Sequence, residues 1–140
     1  MVHDKRPTDA LHGQCLCGAV TYKATAAPLD VVHCHCTMCR RHSGAAFLTY
    51  ARFDRSAVTF AGARPVSYRS SSAAQRGHCG TCGSPLTFVY DSEPDHIYLT
   101  AGTLDEASAL TPSAHWFTAA KLSWLHLDDG LPQWPALREG

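Results

Sequence analysis

The sequence predicts a mainly β domain, on three observations. Short apolar runs rich in Val, Thr, Tyr and Phe recur along the 140 residues, spaced by Gly, Pro, Ser or Asp turns. The segments with helical character are too short to organise a fold. Seven cysteines, gathered into tight clusters, offer metal sites around which short strands can assemble.

The elements follow in order. Residues 1–10 are polar and patternless and are expected to form a mobile arm. Residues 18–24, GAVTYKA, alternate as a strand does, and residues 29–34, LDVVHC, form a second run beyond Pro28. AAFLTYARF, AVTF, PVSYRS, PLTFVY and HIYLTAG supply the later strands. Residues 37–43, TMCRRHS, suit one helical turn ending at Gly44, and LDEASAL near Leu104 suits another. DSEPD at 91–95 reads as a hairpin turn, and SSSAAQ at 70–75 as a flexible loop. The chain has no internal repeat.

Composition narrows the function. The length suits one domain, and an apolar fraction of 45% with a charged fraction of 17% is globular. No apolar run approaches the roughly 20 residues of a spanning helix. Lys plus Arg equals Asp plus Glu at twelve each, which removes the broad positive field expected of a nucleic-acid or membrane binder. The first residues, MVHDKRPTDALHG, lack the apolar stretch of a secretory leader, so the expected compartment is the cytoplasm. Thiols stay reduced there, and an odd number of clustered cysteines favours metal over disulfides.

Seven divides into four and three. Structural zinc takes four ligands, and reactive zinc keeps a position open. The outer pairs, Cys15 with Cys17 and Cys79 with Cys82, are expected to close a structural zinc site. The triplet Cys34, Cys36 and Cys39 is expected to hold a second, open zinc. Residues i and i+2 of an extended strand face one side, which would bring Cys15 and Cys17 onto one ion. Gly18, Gly80 and Gly83 permit tight turns in which backbone amides approach sulfur. Pro85 and a β-rich run follow Cys82, so the helix that follows a thioredoxin-type CxxC is missing.

Two other states of the triplet stay open: a site closed by His33, His35, His42 or His78, and a metal-free thiol cluster. His33 and His35 alternate with Cys34 and Cys36, so in an extended run they face away from those sulfurs. His115 is read either as pointing to the second zinc or as a hydrogen-bonded core histidine. Trp116, Trp124 and Trp134 are candidates for a substrate groove, with Trp124 expected in the core.

The ordered motifs GxCxCGAV, HCHCTMCRRHSGAAF, HCGTCGSPL, AGTLD and a Pro-x-x-His-x-aromatic segment at 112–117 resemble the glutathione-dependent formaldehyde-activating enzyme family, which includes centromere protein V. The resemblance spans 11–135, implying a single zinc-binding domain there and a tail at 136–140. It implies a β-tent fold of antiparallel sheets, with structural zinc on Cys15, Cys17, Cys79 and Cys82 and catalytic zinc on Cys34, Cys36 and Cys39. It also implies a carbon–sulfur lyase-type activity that joins glutathione, or another small thiol, to formaldehyde or a related aldehyde. Arg40 and Arg41, directly after Cys39, are the first candidates for glutathione's carboxylates, ahead of Arg69 and Lys121. Two rivals stand beside this reading. One is a non-catalytic zinc module for binding or scaffolding, and the other a thiol-redox enzyme of the sulfoxide-reductase type.

Overall fold

A computed structural model describes residues 10–137. The arm expected at 1–10 lies outside them except for Ala10. Ten strands run in order: β1 (Leu11–Gln14), β2 (Val20–Ala24), β3 (Asp30–Cys34), β4 (Leu48–Asp54), β5 (Val58–Gly62), β6 (Val66–Arg69), β7 (Ala74–His78), β8 (Pro85–Tyr90), β9 (His96–Thr100) and β10 (Ala114–Trp116). The one α-helix among the described residues, α1 (Thr37–Ser43), ends on Gly44 in the left-handed conformation, whose N–H donates to the Arg40 carbonyl. The expected turn near Leu104 is a 3₁₀ turn at Ala107–Ala109.

The mainly β expectation holds. Strands β1-β2-β5 form a small sheet, and β10-β3-β4-β9-β8-β7-β6 form a seven-stranded one. Neighbours are antiparallel except for β10, which lies parallel to β3 with His115 opposite His33 and Trp116 opposite Cys34. Three strands depart from the sequence reading. β1 and β10 appear where no strand was expected, and β7 begins inside the segment read as a flexible loop.

Period-two alternation gives the large sheet two different faces. One face sends Val31, Phe53, Leu86, Ile97 and Leu99 against Leu11, Val20 and Tyr22 of the small sheet. The opposite face carries Val32, Tyr50, Phe88, Tyr98 and Trp116, around Cys34 and Cys39. Adjacent residues such as Val31 and Val32, or Tyr98 and Leu99, are therefore both buried. Both faces being covered explains why these strands read as continuous apolar runs.

Trp124 is corrected by the structure: it is 66% exposed rather than core. It falls after the last 3₁₀ turn, in a segment that pairs with no strand. The C-terminal segment then runs beside β10, where Trp134 N–H donates to the His115 carbonyl at 2.8 Å and Phe117 N–H to the Ala136 carbonyl at 2.7 Å. Of the tail expected from 136, the described residues are thus tied down beside the second core. Among the described residues, no helix is long and apolar enough to cross a membrane.

Candidate metal centre and adjoining cavity

The first cysteine group joins the two sheets. Cys15 and Cys17 lie in the turn between β1 and β2, and Cys79 and Cys82 in the turn between β7 and β8. Their four Sγ atoms lie within 4.8 Å of one another. A zinc tetrahedron with bonds of about 2.3 Å sets its sulfurs about 3.8 Å apart. The Cys15–Cys17 and Cys17–Cys79 separations are 3.6 and 3.8 Å, close to that spacing, so the donor set suits such an ion. The convergence of Cys15 and Cys17 comes from a turn, not from the extended strand expected, with Gly18 at φ 80°. Gly83 matches it at φ 81° after Cys82.

Backbone amides surround these sulfurs. Val20 N–H donates to Cys15 Sγ at 3.3 Å, and the N–H groups of Thr81 and Cys82 both donate to Cys79 Sγ at 3.4 Å. Hydrogen bonds favour the thiolate. The Val20 amide leads in lowering Cys15, and the Ser84 hydroxyl leads in bringing Cys82 down to about 5. Leu16 N–H also donates to Ser84 Oγ at 2.9 Å, a direct link between the two turns.

The second group forms where β3 runs into α1. Cys34 ends the strand, Cys36 caps the helix by accepting from Cys39 N–H at 3.2 Å, and Cys39 lies inside it. Their sulfurs lie within 4.8 Å of one another, and among the described residues no histidine joins them as a fourth ligand. Hydrogen bonds from the Cys34 and Cys39 thiols pull Cys36 down to about 2, with Arg76 adding its charge. Cys34 moves up for the mirror reason. Three cysteines that converge beside a cavity are a donor set suited to a metal that takes three protein ligands and a fourth from outside.

Sequence reasoning did not find Arg76. It lies on β7 and is only 2% exposed. Both of its terminal nitrogens lie 3.6 Å from Cys39 Sγ. Its Nη1 donates to the Tyr50 hydroxyl at 3.0 Å, its Nε donates to Ser70 Oγ at 3.2 Å, and its guanidinium lies 4.7 Å above the Phe88 ring. The available signal was one charged residue inside the short AQRGH strand. Arg40 and Arg41 are on α1 and do not line the cavity described next.

That cavity, of about 260 Å³, opens beside the triplet. Its wall holds Cys34, Cys36 and Cys39, together with the rings of Tyr50, Phe88, Tyr90, Tyr98, Trp116 and Phe117. Burial raises Tyr50 far above the ordinary phenol range, so its hydroxyl stays protonated. Phe117 has φ 59°, the only positive φ of a non-glycine among the described residues. That conformation costs about 1–2 kcal/mol for a residue with a Cβ.

His33, His35 and His115 collect on the other side of the strand pair. His115 Nε2 lies 2.7 Å from Asp129 Oδ2, and its Nδ1 lies 2.8 Å from His35 Nε2. His33 stacks on His115 at 4.7 Å and bonds Thr49 through Nδ1 at 2.7 Å. His115 is therefore the hydrogen-bonded core histidine, not a neighbour of the thiolates. With Asp129 accepting, His115 Nδ1 accepts in turn from His35 Nε2–H. Burial foremost, then the neighbouring His115, brings His35 down to about 4, which keeps it neutral.

A family model described as glutathione-dependent formaldehyde-activating enzyme matches residues 10–120. An uncharacterised lyase of Schizosaccharomyces pombe is 30% identical over 89 residues, which is 64% of this chain and 64% of that protein. The match therefore spans less than two thirds of that relative's length. A crystal structure of a Rhodobacter sphaeroides protein aligns with a TM-score of 0.56 over 88% of this chain and 98% of that one, at 22% identity. That likeness shows a shared fold.

Proposed function

The chain belongs to the glutathione-dependent formaldehyde-activating enzyme family, and from that membership we propose a zinc-dependent carbon–sulfur lyase-type enzyme acting on the adduct of glutathione, or another small thiol, with an aldehyde. The observation that carries this reading is the open Cys34, Cys36 and Cys39 triplet at the wall of a cavity. In it, Cys15, Cys17, Cys79 and Cys82 hold a structural zinc, and the triplet holds a second. The second ion, when bound, supplies Lewis acidity and stabilises thiolate sulfur at neutral pH.

In the forward direction the substrate sulfur bonds to the carbonyl carbon, the C=O bond becomes C–OH, and the thiol proton ends on that oxygen. The reverse breaks the same carbon–sulfur bond, and neither direction needs an oxidant or a reductant. Around this step the protein holds its own groups fixed. Arg76 sets the position of Cys39 and offsets thiolate charge. Tyr50 accepts from Arg76, which leaves its own proton for an oxygen in the cavity. Arg40 and Arg41, outside the cavity, receive the thiol's carboxylates. In this reading the seven cysteines, none of them in a disulfide, work in a cytoplasmic setting, and residues 11–135 act as a single domain.

The test combines native mass spectrometry with turnover. We expect two zincs per chain, adduct formation from glutathione and formaldehyde or another aldehyde, and loss of one zinc together with activity in Cys36→Ser. Two zincs with no turnover of any thiol–aldehyde pair would reject the enzyme reading. Unchanged glutathione affinity in an Arg40→Ala, Arg41→Ala double variant would reject those two contacts.

A further inference from the structure

The cavity is unlike a site for a charged tripeptide. Glutathione carries two carboxylates and an ammonium group, each needing a partner or water when bound. Among the described residues lining the cavity, Arg76 is the only cationic one, and Cys39, Tyr50, Ser70 and Phe88 already engage it. Apart from the cysteine triplet and Ser71, the rest of the wall is aromatic and aliphatic, with Val32, Met38, Ala74 and Leu137 beside the aromatic residues. Formaldehyde, with one carbon, would leave nearly all of that surface without contact.

The rings are arranged for an aromatic guest. Phe88 and Tyr90 meet edge to face at 4.6 Å, Phe88 and Tyr98 at 5.7 Å, and Tyr98 and Trp116 at 6.5 Å, so both faces and edges are offered within one small space. Phe117 adds an independent sign. Phe117 lines the wall from a backbone conformation that a glycine would adopt without strain. Retained strain at a lining residue points to a use for the side chain.

We propose that the cavity selects an aromatic aldehyde, with its aryl group among Phe88, Tyr90, Tyr98, Trp116 and Phe117 and its carbonyl toward the cysteine triplet. This rests on the lyase reading for the reaction but not for the binding. The charged ends of a glutathione co-substrate then lie outside, on the α1 side. Removing roughly 100 Å² of ring surface from water gives a preference on the order of 50-fold over an aldehyde with the same carbonyl and no ring.

The experiment uses the zinc-loaded full chain. Turnover with glutathione is compared for phenylacetaldehyde and acetaldehyde, and binding is measured for the unreactive alcohols phenethyl alcohol and ethanol by calorimetry. The expected result is a kcat/KM preference on the order of 50-fold for the aryl aldehyde, with a parallel preference for the aryl alcohol. Phe117→Gly, which removes ring and strain together, and Phe117→Leu, which keeps an apolar side chain, should each reduce the aryl preference about ten-fold while the protein stays folded. Absent binding of phenethyl alcohol, or unchanged binding in both folded Phe117 variants, would overturn the proposal even if acetaldehyde is consumed. Phe117-dependent binding with neither aldehyde consumed would uphold the aromatic cavity and sink the lyase reading instead.

Discussion

Arg76→Met tests the electrostatics of the second site most directly. The guanidinium lies 3.6 Å from Cys39 Sγ through both terminal nitrogens and is 2% exposed, so water screens the pair little. With Cys39 as the thiolate that a bound zinc would enforce, opposite unit charges at such a distance attract by about 4–5 kcal/mol at an effective dielectric near 20. Part of that is offset by the cost of keeping the guanidinium dry, since burial opposes its charge. Partners of metal ligands typically change metal affinity 10–100-fold, about 1.4–2.8 kcal/mol. Methionine fills similar volume without the charge. We therefore expect zinc to bind the triplet about 10–100-fold more weakly in Arg76→Met, while the Cys15 group keeps its ion. Arg76→Lys should fall between, because an ammonium keeps the charge but loses the fork that spans Cys39 and Tyr50. Competition against a chromophoric chelator reads both sites separately. A second-site affinity within about two-fold of the original would refute the argument that Arg76 stabilises these thiolates.

Three other outcomes follow from the geometry. Cys79→Ser should release the structural zinc and destabilise the whole domain by at least about 3 kcal/mol, roughly 10 °C in Tm, because the lost ion ties turns far apart in sequence; calorimetry with metal analysis checks it, and an unchanged Tm would contradict it. Gly13→Ala should cost about 1–3 kcal/mol, since a Cβ there would overlap the Tyr22 ring and approach the Thr103 carbonyl at 2.7 Å; denaturant unfolding measures it. In Asp129→Asn the Tm deficit should depend on pH. The His115 bond lowers the Asp129 pKa, so its stabilisation is complete above the ordinary carboxylate value and lost as pH falls through the lowered one. Original and variant Tm values should therefore converge in acid, and a deficit independent of pH would exclude the carboxylate as its source.

The cysteine arithmetic was legible because ligand spacing is local: CxC, CxCxxC and CxxC each close within one turn. Most strands were legible because Val, Tyr and Phe mark them. β7 was not, since AQRGH carries no alternating apolar set, and Gly77 is needed there for its close approach to Thr87. β10 has only three residues and pairs in parallel, a register no local pattern encodes. The aromatic cavity was hidden for a related reason. Tyr50, Phe88 and Tyr98 come from β4, β8 and β9, and only the register of those strands makes them neighbours. Trp124 misled because large aromatics are usually buried.

The two cysteine groups occupy different places in the fold. The Cys15 group links the small sheet to the β7–β8 turn, beside the core that the two sheets share. The Cys34 group belongs to one strand and the helix that follows it, and Arg76 reaches it from β7 across the cavity face. Loss of a metal from the second group would therefore spare the core between the sheets, which Phe53, Leu86 and Leu99 fill and to which none of the triplet belongs. A site that can lose its ion or exchange a ligand without unfolding the domain is what an open coordination position requires. In the proposed reading, the division of seven thiols into four and three would separate a metal that links the sheets from a metal that meets a substrate.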